Sequence, residues 1–303
     1  MTGGDVLAPH LHAHAADFLR GLRLHAVSGP DGAGAEEAAR ALRAAARRIG
    51  AALATFRALL DTAWADRLRA ELTWLSGTLG QEYACTAQLV RLAEALARLS
   101  GGRPPALPPP RSGGEALAMG AARAGALLDR KLTQARSRAH SAALQALGSA
   151  RFHALADTVA LLASEAPLSP AASASAATAL GDPARLAERR LLDAVAALPT
   201  APAVGGEQQD APWHQVRLLL RLHRYAEELL GAGPVRYEAG GALDRHRDAA
   251  EAAATAAGAA RTPRIAPATA YALGVLHADQ RHEVAAARTA FRHAWERTVV
   301  TTG

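Results

Sequence analysis

Aromatic side chains are scarce in this chain, at 4% of residues, and β-branched residues are few beside the abundant alanine. A large sheet draws on both, so extensive β-structure is excluded. The expected fold class is all-α, with an Ala/Leu core whose small side chains let helices approach closely. A single cysteine, Cys85, excludes an intramolecular disulfide and fits a reducing compartment. No uncharged run approaches the ~18–20 residues that a membrane-spanning helix needs. No leader pattern opens the chain: Asp5 and three histidines stand where a charged and then apolar segment would be. The cytoplasm is the expected location.

Catalytic signatures are absent too. There is no Walker-type glycine loop, no CxxC pair, no HExxH, and no nucleophile beside a base and paired acids. The expectation is a non-enzyme that carries no cofactor. His10, His12 and His14 invite a metal reading, because His10 and His14 share a helical face at i, i+4. Only Asp17 is near enough in sequence to add a ligand, so surface histidines are expected instead. His277, Asp279 and His282 read the same way. Cys85 has no flanking base and reads as a small buried residue.

What the chain does have is basic charge. Its 303 residues carry a formal charge of +6 at pH 7, with pI ≈ 10.3. That length suits one large domain or two modest ones, burying about three quarters of the unfolded surface. The balance points to anionic partners: polyphosphate, nucleic acid or acidic lipid. Part of the charge is organised. Read as a helix, Pro212–Glu228 places His214, Arg217, Arg221 and Arg224 at offsets 0, 3, 7 and 10. At 100° per residue they fan over less than about a quarter of the circumference and run about 15 Å along the axis. Leu218, Leu219 and Leu222 turn most of the remaining surface towards a core. Such a row is often a solvated face; a line of cations with no acid among them also suits an extended polyanion.

In chain order, helical periodicity runs from Asp5 to about Val27, from Glu36 to Leu60, and from Ala63 to about Leu99, with a bend expected near Gly77–Gly80. Ser100–Gly114 is a Pro/Gly segment. Glu115 to about Ser164 is helical with a break at Gly148–Ser149. Ala166–Pro183 reads as a loop with a short helical turn, and Asp182–Pro183 as the start of the next helix, to Leu198. Further helices span the basic row to Leu230, Ala242 to about Ala260, and Ala268–Val299. The expected organisation is a helical half over 1–165, a linker over 166–181 and a second half over 182–303. The first half carries its own basic row, Arg40, Arg43 and Arg47 at offsets 0, 3 and 7, with Arg48 on its flank.

At these two helices the chain resembles the CHAD family, the conserved histidine α-helical domain, whose pattern H-x-x-R-x-x-x-R/K-R-x-R occurs once per half. His214, Arg217, Arg221, Arg224 and the following Tyr225 match the second copy, with Leu222 where a base is usual. Arg43, Arg47 and Arg48 match the first copy, with Arg40 in place of the histidine and Gly50 in place of the last base. Phe56–Asp61, Trp74–Leu75 and Leu79–Gly80 also look like the family, as do Leu243–Asp248 and the tail from Tyr271–Gly274 to Trp295. Tyr83–Thr86 replaces the usual Arg-Asp-x-Asp. The resemblance spans nearly the whole chain and identifies a free-standing, partly degenerate member, without the triphosphate-binding β-barrel that often accompanies the family.

This resemblance implies two four-helix bundles related by a pseudo-two-fold, enclosing a basic cleft that binds inorganic polyphosphate. Association with polyphosphate granules follows from it. The implied binding residues are Arg40, Arg43, Arg47, Arg48, His214, Arg217, Arg221 and Arg224. His246 and Arg247 join them because a helix start, expected nearby, attracts anions. Lys131, Arg130, Arg138 and Arg151 either extend the basic surface or face water, as do Arg189 and Arg190. Two alternatives stay open: a scaffold for protein contacts that has lost its ligand, and nucleic-acid binding. The second is disfavoured because only Trp213 and Tyr225 could stack on bases beside the basic rows.

Overall fold

The computed structural model describes residues 1–28, 34–101, 113–199, 209–231 and 236–300. Among them are nine α-helices: α1 (Gly3–Ser28), α2 (Ala35–Thr55), α3 (Thr62–Gly101), α4 (Gly113–Leu147), α5 (Ala150–Leu162), α6 (Ala176–Ala196), α7 (Ala211–Leu229), α8 (Tyr237–Ala260) and α9 (Pro267–Val300). No strand occurs among the described residues, only the isolated bridges Thr2–Ser175 and Leu60–Leu168. The all-α expectation holds.

Two compact units emerge, and each takes segments from both halves of the sequence. Unit 1 comprises Met1–Gln81, Ala139–Ala197 and Leu218–Val235; unit 2 comprises Glu82–Arg138, Leu198–Arg217 and Arg236–Gly303. Helices α3, α4 and α7 therefore contribute residues to both.

In unit 1 the apolar period of α1 does what it predicts. Leu7, Leu11, Ala15 and Phe18 are fully buried at steps of three and four, and they meet Leu42, Ile49 and Leu53 of α2, Leu68 and Leu72 of α3, and Phe152 and Val159 of α5. Burying a side chain of this size contributes about 1.5–3 kcal/mol. The break before α5 falls where Gly148–Ser149 predicts it. Ser149 is the N-cap, accepting a hydrogen bond from the Phe152 amide at 3.1 Å.

In unit 2 alanine carries the packing. Ala252, Ala256 and Ala259 of α8 meet Leu92 and Leu96 of α3, Ala124, Leu128 and Leu132 of α4, and Leu273 and Leu276 of α9. A Cβ on Gly120 of α4 would stand 2.2 Å from the Ala268 carbonyl oxygen, so only glycine permits this approach of α4 to α9.

Three boundaries differ from expectation. α2 ends at Thr55 and passes into a short 3-10 turn, Arg57–Leu59. α6 starts at Ala176, not at Asp182–Pro183, because Ser175 caps it by accepting from the Thr178 amide. Pro183 then lies inside the helix and removes one backbone donor. α8 starts at Tyr237 instead of Ala242, behind Arg236 in the left-handed region at φ 57°. α3 runs unbroken through Gly77–Gly80. The expected loop over Ser100–Gly114 falls mostly outside the described residues.

Candidate anion-binding surfaces

Unit 1 gathers six of the arginines that the sequence nominates. Arg40, Arg43, Arg47 and Arg48 stand on α2, and Arg221 and Arg224 on the part of α7 that belongs to this unit. Arg48 ties the two helices: its Nε donates to Glu228 at 3.0 Å, and its guanidinium lies 5.3 Å from the Tyr225 ring centroid. Arg43 packs on α3, where a Cβ at Gly80 would stand 3.0 Å from its Nη2. Arg40 is exposed and reaches only the Glu36 carbonyl, at 3.5 Å. Arg47 is half-buried and forms no hydrogen bond or ion pair among the described residues.

Histidines of α1 complete this unit. The rings of His10 and His14 meet edge to face at 4.5 Å, and His14 Nδ1 lies 3.1 Å from Asp17. Burial, together with the neighbouring His14, pushes His10 down to about 4. Among the described residues no group of three or more His, Cys, Asp or Glu could hold a metal ion. Arg151 donates through Nε to Glu71 at 2.6 Å and lies over the Trp74 ring at 4.0 Å.

Unit 2 holds the other nominated residues, and here acids are interleaved. Arg217 donates to Asp244 at 2.6 Å. Arg247 pairs with Asp248 and lies 3.7 Å from Glu251. His246 is 1% exposed. Because α8 begins at Tyr237, His246 and Arg247 lie well inside the helix, and the helix-start argument for them fails.

His246 belongs instead to a buried cluster that the basic rows do not reveal. Asp210 stands just before α7 and is 5% exposed. It accepts from Arg281 at 2.7 Å and from Arg288 at 2.6 Å, and His246 Nε2 lies 3.5 Å away. Burial opposes a charge on Asp210, yet His246 and Arg281 outweigh it and hold the carboxyl far below the ordinary range. Trp213 stacks on His246 at 5.5 Å, with the Arg288 guanidinium 5.2 Å from its ring. His214 meets His246 edge to face at 5.5 Å; burial, and then His246, lower its pKa. Arg281 and Arg288 share one face of α9 at a seven-residue step, which is legible in the sequence. Their anion, 71 and 78 residues away, is not. Cys85, placed here in unit 2, is half-buried, and burial raises its thiol.

The CHAD domain family matches residues 13–236. This chain belongs to the CHAD family. PptA from Streptomyces chartreusis is 58% identical and superposes with a TM-score of 0.85, over 98% of this chain and 100% of that one. The CHAD domain from the plant Ricinus communis shares the fold at 22% identity, with a TM-score of 0.59 over 97% and 91% of the two chains. None of the curated proteins matches. This CHAD domain thus keeps its basic helices while committing several of their arginines to carboxylates. No described helix is long and apolar enough to cross a membrane.

Proposed function

We propose that this CHAD domain is a cytoplasmic, non-enzymatic module that binds inorganic polyphosphate through the arginines of α2 and α7. The observation that carries the proposal is Arg47: a half-buried cation without an anionic partner among the described residues, flanked on α2 by Arg43 and Arg48. Taking part of a charge out of water costs solvation that a paired anion restores. A phosphate oxygen supplies the missing charge, and a guanidinium offers it planar, multidentate donors at any working pH. Arg40, Arg43 and Arg48 extend the row on α2, and Arg221, Arg224, Arg217 and His214 the row on α7. Glu228 holds Arg48 until a polyanion displaces it, and so exposed a pair costs only about 0–1 kcal/mol to break; Arg217, largely buried on Asp244, is held more firmly.

The test is Arg40→Gln with Arg47→Gln, read by the affinity for long-chain polyphosphate and by thermal melting. Neither side chain holds the fold, so melting stays as in wild type while affinity falls about tenfold or more. Unchanged affinity sinks the proposal. The carboxylates on Arg48, Arg217 and Arg247 favour a second reading, a scaffold that no longer binds the polymer. Wild-type protein that fails to bind polyphosphate at low salt supports that reading.

A further inference from the structure

The nominated basic rows lie mostly in the unit with no net charge. Unit 1 carries 15 Arg against 15 Asp and Glu, whereas unit 2 carries 19 Lys and Arg against 13 acids, so the whole +6 belongs to unit 2. There the cations of α9 and α8 are largely engaged: Arg281 and Arg288 by Asp210, and Arg247 by Asp248 and Glu251. The α4 segment of unit 2 differs. Arg123, Arg130, Lys131 and Arg138 are all exposed, and none makes a hydrogen bond or ion pair with a described residue. Lys131 is the single lysine of the chain.

At 100° per residue these four side chains occupy an arc of about 100° over about 22 Å of helix. The remaining residues on that arc, Leu127 and Gln134, carry no charge. Asp129, the only acid between 116 and 138, lies on the opposite side of α4, as does Arg136. Glu82 of α3, Arg136 and Arg138 all act electrostatically on Cys85. A solvated helix face commonly mixes signs, because Glu–Lys and Glu–Arg pairs at i, i+4 stabilise the helix by about 0.2–0.5 kcal/mol each. This face forgoes them and keeps one sign along its length. The buried edge of the same segment adjoins the stripe: Ala124, Leu128 and Leu132, at about 100–180° from Arg123, are core, and Leu127 of the arc packs partly against it.

We propose that the exposed stripe Arg123, Arg130, Lys131 and Arg138 on α4 is a second track for a phosphate chain, separate from the arginines of α2. The proposal rests on the polyphosphate reading and extends it: a long polymer engages both tracks, and a short one is held by the first alone. The occupant follows from charge and from what the stripe lacks. It offers a line of cations to a line of anions. It has no aromatic platform for bases, which disfavours single-stranded nucleic acid, and no Trp or Phe to enter a lipid surface.

The experiment compares wild type with a variant carrying Arg123→Gln, Arg130→Gln, Lys131→Gln and Arg138→Gln. All four sites are exposed, so melting confirms that both proteins fold. Affinities are measured for long-chain polyphosphate, tripolyphosphate, single-stranded DNA and phosphatidylglycerol vesicles over a salt series. The expected result is a fall of about tenfold or more for the long chain, with its logarithmic salt slope reduced by about 2–3, and no change for tripolyphosphate. Equal losses for long and short chains overturn the second track, as does an unchanged long-chain affinity. A loss confined to DNA or vesicles overturns it by reassigning the stripe. Wild-type protein that binds neither polyphosphate length fails the underlying function instead, an outcome separable from the others.

Discussion

Replacing Asp210 with asparagine should cost unit 2 much of its stability. The side chain keeps its shape but loses the charge that Arg281 and Arg288 share, at 2.7 and 2.6 Å. Exposure decides the size of the effect. The side chains of Asp210, Arg281 and Arg288 are 7%, 17% and 14% exposed, so water cannot replace the carboxylate. Removing one partner of such a buried pair costs about 3–5 kcal/mol, because the remaining charges stay desolvated. For a chain of this size that corresponds to roughly 5–8 °C in Tm. The pH dependence follows from the sign of the shift. The carboxyl lies far below its ordinary value in the folded state, so its contribution is complete above the unfolded value of about 3.9 and fades as pH falls below it. The gap between wild type and Asp210→Asn therefore narrows below about pH 4. Calorimetry of both proteins at neutral pH and near pH 3 reads both quantities. A variant within about 1 kcal/mol of wild type at neutral pH would refute the desolvation argument, and a gap that did not narrow in acid would refute the linkage.

His214 is held below its ordinary pKa by burial, His246 and Arg217, with Asp210 and Glu251 opposing. A bound phosphate raises that pKa, so binding takes up a proton and affinity rises as pH falls from about 8 to 5.5; a flat titration by wild type removes His214 from the site. Gly120→Ala places a Cβ 2.2 Å from the Ala268 carbonyl oxygen. Separating α4 from α9 should cost about 1–3 kcal/mol by urea denaturation, and a neutral result would show that this approach is not a tight one.

The parts legible in the sequence were the local ones. Periodicity places α1 because burial repeats every three or four residues, and Ser149 marks the start of α5 because a cap needs only its own helix; on α7 the core face lies at Val216, Leu220 and His223, not at the expected Leu218, which is 50% exposed, Leu219 and Leu222. The start of α6 is less visible, since Asp182–Pro183 is as good a signal as Ser175 and only the packed chain chooses between them. The candidate site divides in the same way. Rows of arginine can be counted along a helix, yet whether each is committed depends on distant acids: Glu228 lies 180 residues from Arg48. Local spacing therefore nominates Arg48 and Arg47 equally, and the fold distinguishes them. The same limit hid Asp210 and displaced His246 from an expected surface to a buried cluster.

The solitary amine on α4 has a practical meaning. An acylating reagent directed at lysine side chains meets one target, Lys131, in the middle of the exposed stripe. A single fluorophore placed there would sit beside whatever occupies that face, and acetylation at that position would remove one of its four charges without touching any arginine.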